Sequence, residues 1–299
     1  MMPSFYQGID DFLGKRESRY FGEGYLRSDQ SIRDFRIHHN ESGLHFSCLG
    51  SVCLPELWSQ KGDSQQTPHL STIDVIELSV ASLRRLFQST LHGVVVPATS
   101  IKRIKITAGN SPVESDLDSI GITGHVRSDH GGEYVVDIQI VNMTLEIAFS
   151  HGLGPHAPAL SSEKQPVKVH NVMALAHEEQ AVAFAMVKSE HSDVNQSWSL
   201  SSCFAAALQL GQTLLYELDG VSRAESNTLW MKRTVITLSQ GISCATDQEQ
   251  PIFVRLDRIR KYSKSDGEWR KADIFGMVCN ANIVCSVTHR LPNSVRMPA

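Results

Sequence analysis

Leu70, Ile73, Ile76, Val80, Leu83 and Phe87 recur at the spacing of one face of an α-helix and predict about five turns. Two starts fit. Thr67 can cap with Pro68 at the first helical position, where the missing N–H costs nothing, or Ser71 can cap with Asp74 three residues on. A second long helix is predicted after Ser197 or Ser199, with Leu200, Phe204, Leu208, Leu215 and Leu218 roughly on one face. Asp219-Gly220 ends it, because glycine tolerates the left-handed conformation of a helix stop. Elsewhere the period is two. Phe35 and Ile37 alternate with polar neighbours, and Leu44–Leu54 forms a second strand-like run. Four more strands follow the first helix: Val94–Thr107, Ile120–Val126, Val136–Ile140 and Met143–Phe149.

The second half repeats this order. Val167–Val172 and Ala181–Val187 precede its helix, and strands over 229–239, 251–262, 269–278 and 281–289 follow. Between the halves, residues 151–166 carry three prolines, two glycines and no periodicity, which marks a linker. The division is therefore an N-terminal domain with an arm over 1–150, and a C-terminal domain over 167–299. Ala205, Ala206, Ala207 and Gly211 give the second helix a small-residue surface, while Ser79, Ala81 and Ser82 sit mid-way along the first. An interior helix glycine costs about 1 kcal/mol, so something is expected to approach closely, most simply a curved sheet. One long helix wrapped by a curved antiparallel sheet is the hotdog arrangement. Two copies in one chain make an α+β, tandem (double) hotdog.

Composition narrows the function classes. The chain has 299 residues, 41% hydrophobic and 20% charged, with a net charge of −4. That balance supports a sizeable core and argues against non-specific nucleic-acid binding. No apolar run reaches the roughly 18 residues of a membrane span, and Met1–Gly14 does not read as a secretory signal, so a cytoplasmic protein is expected. The six cysteines form no CxxC pair, and Cys48, Cys53, Cys279 and Cys285 read as small buried hydrophobes. His151 and His156 lie in the linker without carboxylate or thiolate partners. Neither a Walker A sequence nor a strand-linked GxGxxG occurs, so no metal or other cofactor is expected.

Candidate chemistry gathers at the start of the first helix. His69, Ser71, Thr72 and Asp74 cluster where free backbone N–H groups and the positive dipole end suit a carbonyl oxygen or an anion. His69 is the best base, because histidine titrates near physiological pH; Asp74 can orient it, bind a hydroxyl or act as the base. Ser71 and Thr72 can bind hydroxyls. Arg16, Glu17 and Arg19, set between glycines with Tyr20 and Phe21, either contact a polar substrate or belong to a solvated arm. Gln209 and Gln212 lie on the second helix. Arg223, Asn227 and Arg233 follow it and suit phosphate or sugar hydroxyls. Lys232, Arg233, Arg255, Arg258, Arg260 and Lys261 make either a basic face for an acidic carrier protein or an ordinary solvated strand edge.

Three stretches carry a family resemblance: LGKRESRYFGEGY (13–25), WSQKGDSQQTPHLSTID (58–74) and LQLGQTLLYELDGVSRAESNTLWMKRT (208–234). They resemble the bacterial avirulence protein D family, whose members form syringolide-type acyl glycoside signals. That family is in turn similar to the A-factor-type butenolide synthases, which are tandem hotdog proteins. The resemblance implies condensation of a β-ketoacyl thioester, on acyl carrier protein or coenzyme A, with a small ketose such as xylulose. Ester formation would be followed by attack of the acidic α-carbon on the sugar ketone, giving a butenolide or furanone-type product. No clear histidine with a paired acidic residue of the hotdog dehydratase pattern is found; the second helix offers Gln209 and Gln212 with Asp193 ahead of it, which makes simple dehydration less expected and leaves the catalytic partner in the second half unassigned. A thioesterase, a dehydratase or a non-catalytic acyl-binding protein are the other readings, and a homodimer is compatible with the expected fold.

Overall fold

A computed structural model describes residues 2–41, 43–90, 101–128, 133–150, 164–188, 197–239 and 244–292. The first half contains β1 (Ser4–Gly8), a short α1 (Asp10–Leu13), β2 (Asp29–Asn40), β3 (Gly43–Cys53) and a small hairpin of β4 (Gln60–Lys61) and β5 (Ser64–Gln65). The long α2 (Thr72–Thr90) follows, then β6 (Ile101–Thr107), β7 (Ile120–Ser128), β8 (Glu133–Ile140) and β9 (Met143–Ser150). The second half contains β10 (Val167–Leu175), β11 (Gln180–Val187), α3 (Leu200–Asp219), β12 (Trp230–Leu238), β13 (Gln250–Lys264), β14 (Gly267–Val278) and β15 (Ala281–Arg290).

Both halves order their strands alike. The first runs β6-β9-β8-β7-β3-β2 and the second β12-β15-β14-β13-β11-β10. They join where β6 pairs antiparallel with β12, Ile104 opposite Ile236, and the result is one 13-stranded sheet. Equivalent hairpins turn alike: Val141 between β8 and β9 has φ 50°, and Cys279 between β14 and β15 has φ 52°. Each half wraps its sheet around its long helix, with α2 on β2 and β3, and α3 on β10, β11, β13 and β14. The fold is a double hotdog. The thirteenth strand, β1, crosses from the N-terminal arm to the far edge of the second half and pairs with β10.

The close approach expected at Gly211 is real. A Cβ there would lie 2.5 Å from Ile274 Cγ2, and one on Gly276 of β14 would lie 2.9 Å from the Ala207 Cβ. Helix and strand meet at bare backbone on both sides, which is why α3 carries three consecutive alanines at its centre. Gly211→Ala gains about 1 kcal/mol in helix propensity but overpacks the contact at a cost of about 1–3 kcal/mol. A net loss of about 1 kcal/mol is expected in urea unfolding. In α2 the buried Ser79 and Ser82 donate to the Val75 and Leu78 carbonyls at 2.7 and 2.8 Å, so small polar residues sit in the core without orphaned hydroxyls.

Several expectations are corrected. The arm is not solvated: Arg19, Tyr20, Phe21 and Tyr25 are buried in the core. Cys53 is exposed, and Cys279 is joined to Cys244 as a disulfide at a Cα separation of 5.9 Å. Cys279 occupies a hairpin tip rather than a strand, which brings it to the loop bearing Cys244. β13 is an interior strand, not an edge, and its basic residues are interspersed with acids: Arg255 pairs with Asp257 at 2.9 Å and Arg258 with Asp273 at 2.6 Å. His151, His156, Asp193, residues 94–100 and most of the linker lie outside the described residues. No helix among the described residues is long and apolar enough to cross a membrane.

Candidate active site at the junction of the halves

α2 begins at Thr72, so the later of the two starts is used. Ser71 and Asp74 form a reciprocal capping box: the Asp74 amide donates to Ser71 Oγ at 3.1 Å, and the Ser71 amide donates to Asp74 Oδ2 at 2.9 Å. Ser28 Oγ and Gln30 Nε2 donate to the other carboxylate oxygen at 3.1 and 2.6 Å. Asp74 is thus fully buried and spends both oxygens on holding the helix start to the N-terminal arm. Tyr20 hydrogen-bonds Ser71 Oγ, and burial followed by the charge of Asp74 raises its phenol well above the ordinary value, so it stays neutral.

Beside this helix start lies a cavity of about 290 Å³ between the two halves. The arm, the 58–72 segment, the loop after β6, α3, the loop after it and the β13–β14 hairpin all contribute to its wall. Arg19, Lys61, Arg223, Lys232 and Lys264 line it, and among the described residues no aspartate or glutamate does. Trp58, Trp230 and Trp269 supply flat apolar faces.

His69 is set in this wall. Its ring lies 4.5 Å from the Trp58 ring and 5.8 Å from the Trp230 ring, so one aromatic from each half brackets it. Nδ1 is 3.0 Å from the Thr67 carbonyl. A carbonyl only accepts, so Nδ1 carries the hydrogen and the neutral ring has its lone pair on Nε2. No group among the described residues hydrogen-bonds Nε2. Burial lowers the His69 pKa below the ordinary histidine value, so the free-base form prevails at neutral pH.

The other expected site residues divide. Ser71, Thr72, Arg19, Gln212 and Arg223 reach the cavity with His69. Arg223 also ties the halves, donating to the Gln60 carbonyl at 2.6 Å and to the Ser18 carbonyl and Ser59 Oγ, each at 3.2 Å. Thr72 Oγ1 donates to Met231 Sδ at 3.4 Å across the junction. Gln209 stands behind the wall, where Arg19 donates to its Oε1 at 2.8 Å. Arg19 also pairs with Asp10. Arg16 points away and donates to the Val167 carbonyl at 3.1 Å; Glu17 is exposed. Asn227 is exposed and contributes only its carbonyl, to Lys61, while Arg233 is exposed on β12. Arg19 Nε, Trp58 Nε1 and Gln209 Nε2 are buried donors with no acceptor among the described residues.

Two residues were not anticipated. Lys61 lies in a polar loop that offers no periodicity, and its position in the cavity wall depends on partners some 160 residues away. Asp219, expected only as a helix stop, is buried in a cluster: Arg270 Nε donates to it at 2.8 Å, and His289 Nε2 donates to its Oδ2 at 3.0 Å. The neighbouring Trp269 and Thr288 line the cavity, so this cluster backs its wall.

The corresponding end of α3 is filled. Ser199 caps it, accepting from the Ser202 amide, and the Gln165 side chain accepts from the Ser199 amide at 2.8 Å. Tyr25 donates to the Gln165 carbonyl at 2.5 Å, and Trp198 is fully buried alongside.

All three stretches quoted above meet in this cavity, through Arg19 and Tyr20, through Lys61 and His69, and through Arg223 and Trp230. The sequence family described as Pseudomonas avirulence D protein (AvrD) matches the chain twice, over residues 4–165 and 149–292. The chain belongs to the AvrD family. No curated protein sequence matches it. Among solved structures, the dehydratase domain of RzxB from Pseudomonas fluorescens is 13% identical, with 85% of this chain and 97% of that one covered at a TM-score of 0.42. A tesB protein from Mycobacterium avium subs paratuberculosis is 7% identical, covering 87% and 96% at 0.46. A pyran synthase domain from module nine of the sorangicin pathway is 9% identical, covering 88% and 98% at 0.43.

Proposed function

We propose that this AvrD-family chain is a synthase joining a β-ketoacyl group, delivered as a thioester on carrier protein or coenzyme A, to a short ketose such as xylulose. The reading rests above all on one observation: His69 presents a free Nε2 in a junction cavity walled by five basic side chains and, among the described residues, no carboxylate. His69 Nε2 takes the proton of a sugar hydroxyl as that oxygen attacks the thioester carbonyl. The Thr72 amide, at the start of α2 in the cavity wall, suits the developing oxyanion. Collapse of the tetrahedral species expels the thiolate, which takes the proton from His69 and departs as the thiol, and leaves the ester with the base regenerated. The cations and the unpaired donors Arg19 Nε and Trp58 Nε1 favour an oxygen-rich, negatively charged partner. Lys232 and Lys264 are additional cations for a phosphate of the thioester carrier. In the second stage the same base removes an α-proton from the β-ketoester, and the carbanion attacks the sugar ketone.

A volume of about 290 Å³ is at the small end for ligand sites, which matches a sugar and a thioester head. Mass spectrometry of the purified protein with a β-ketoacyl thioester, with and without D-xylulose, tests the proposal. The expected product has the mass of acyl plus sugar and forms only when both are present. Free acid released without sugar would replace the reading with a thioesterase, and loss of water from the acyl group would replace it with a dehydratase. Binding without turnover would leave an acyl-binding protein.

A further inference from the structure

Lys61 has an unusual setting for a lysine. It stands at the end of β4 in the cavity wall, and no carboxylate among the described residues comes within ion-pair distance of it. Among the described residues its Nζ hydrogen-bonds only neutral oxygens, Ser226 Oγ at 3.0 Å, the Asn227 carbonyl and Tyr216 OH at 3.4 Å, and it lies 5.8 Å from the centre of the Tyr216 ring. Ser226 gives its own hydrogen to the Arg223 carbonyl, so toward Lys61 it acts as an acceptor. Nζ donates to all three oxygens when charged; as a neutral amine it can keep the bonds to Ser226 and Asn227 and give up the one to Tyr216, which is longer than that to Ser226 and frees a lone pair. The titratable and charged groups around Nζ are Tyr216, from α3, and Arg223, from the loop after it. Burial, and then the repulsion of Arg223, pull the Lys61 pKa down to about 7.

We propose that Lys61 is a nucleophilic amine of this site that condenses with the ketone carbonyl of the substrate. The inference rests on the synthase reading for its physiological substrate, but the chemistry of the amine can be tested separately. Amine and ketone, with one proton, give an iminium ion and one water. The carbanion of the β-ketoester then forms the new carbon–carbon bond at the iminium carbon, which becomes an amine-bearing carbon. Loss of the second α-proton to a base, with protonation of the departing nitrogen, expels Lys61 as the free amine and leaves a carbon–carbon double bond. Overall one water is lost and no oxidant or reductant is needed. His69, in the same wall, is placed to move these protons.

The test uses the full-length protein and two probes. The first is acetylacetone, a β-diketone that a neutral lysine amine converts to a near-ultraviolet-absorbing enaminone. Its formation is expected to map to Lys61 by peptide mass spectrometry, to rise as the pH passes upward through about 7, and to vanish in Lys61→Arg. The second is the β-ketoacyl thioester with D-xylulose under sodium cyanoborohydride, which should leave a reduced sugar adduct on Lys61. In Lys61→Arg the cyclised product should fall on the order of a hundredfold while the open ester still accumulates. No enaminone on wild-type Lys61 overturns the proposal whether or not the synthase reading holds. Cyclised product formed at the wild-type rate by a folded Lys61→Arg protein overturns it too. Enaminone at Lys61 without any acyl–sugar product would uphold the amine and discard the sugar condensation.

Discussion

Replacing His69 with glutamine is expected to lower kcat for acyl–sugar formation about 100- to 10,000-fold while KM changes little. Glutamine can keep a hydrogen bond to the Thr67 carbonyl and a flat contact with Trp58, but it has no lone-pair nitrogen to accept a proton. The loss corresponds to about 3–5 kcal/mol of transition-state stabilisation. The pH dependence has a definite sign. Burial holds the His69 pKa below the ordinary value of about 6.5, so the rate of ester formation, the step His69 serves before Lys61 acts, should be level above that pH and fall only in more acidic solution. A variant within about tenfold of wild type, or an acid limb centred well above pH 6.5, would remove His69 from the role of base. Asp74 does not compete for that role in this geometry, since the helix cap and the arm occupy both of its oxygens.

The largest expected effect on stability is at Asp219. A carboxylate in the last turn of a helix opposes the dipole, and this one is also buried. Burial alone would push its pKa up, yet the hydrogen bonds from His289 and Arg270 outweigh that and hold it below the ordinary carboxylate value. Asp219→Ala leaves the Arg270 guanidinium buried without its counter-charge and should cost about 3–5 kcal/mol in chemical unfolding. Because the folded value is depressed, the wild-type contribution is fully present above pH 4 or so and is lost as the pH falls through the folded value. Wild type and variant should therefore converge in stability in strong acid. A loss below about 1 kcal/mol, or a gap that widens in acid, would show that the cluster is not an energetic unit.

Much of the fold could be read in advance because each element keeps one period. Strands alternate every two residues and helices every three to four, so the repeated order of two strands, a helix and four strands survives weak similarity between the halves. What escaped depends on partners distant in sequence. The choice of Ser71 over Thr67 as cap is made by Tyr20, Ser28 and Gln30, which reach the helix start from the arm. Arg16, Glu17 and Arg19 look alike in sequence, but the tight turn at Arg16–Ser18 sends Arg19 into the core and leaves Glu17 outside. Gln209 and Gln212 are one turn apart on α3, yet Arg19 holds the first and the cavity receives the second. Lys61 is notable for having no carboxylate partner among the described residues, and no local pattern records that.

The blocked end of α3 makes the two halves unequal heirs of one plan. The first half opens its helix start to the cavity, while in the second Gln165 closes the helix start with Trp198 buried beside it, and that half supplies the opposing wall through Arg223, Trp230 and Lys232. Neither half retains what the other has specialised in. Two copies of the first half would bring two helix starts and no such wall; two copies of the second would bring walls and no His69. The cavity therefore needs both halves of this chain at once, and neither half alone carries its full lining.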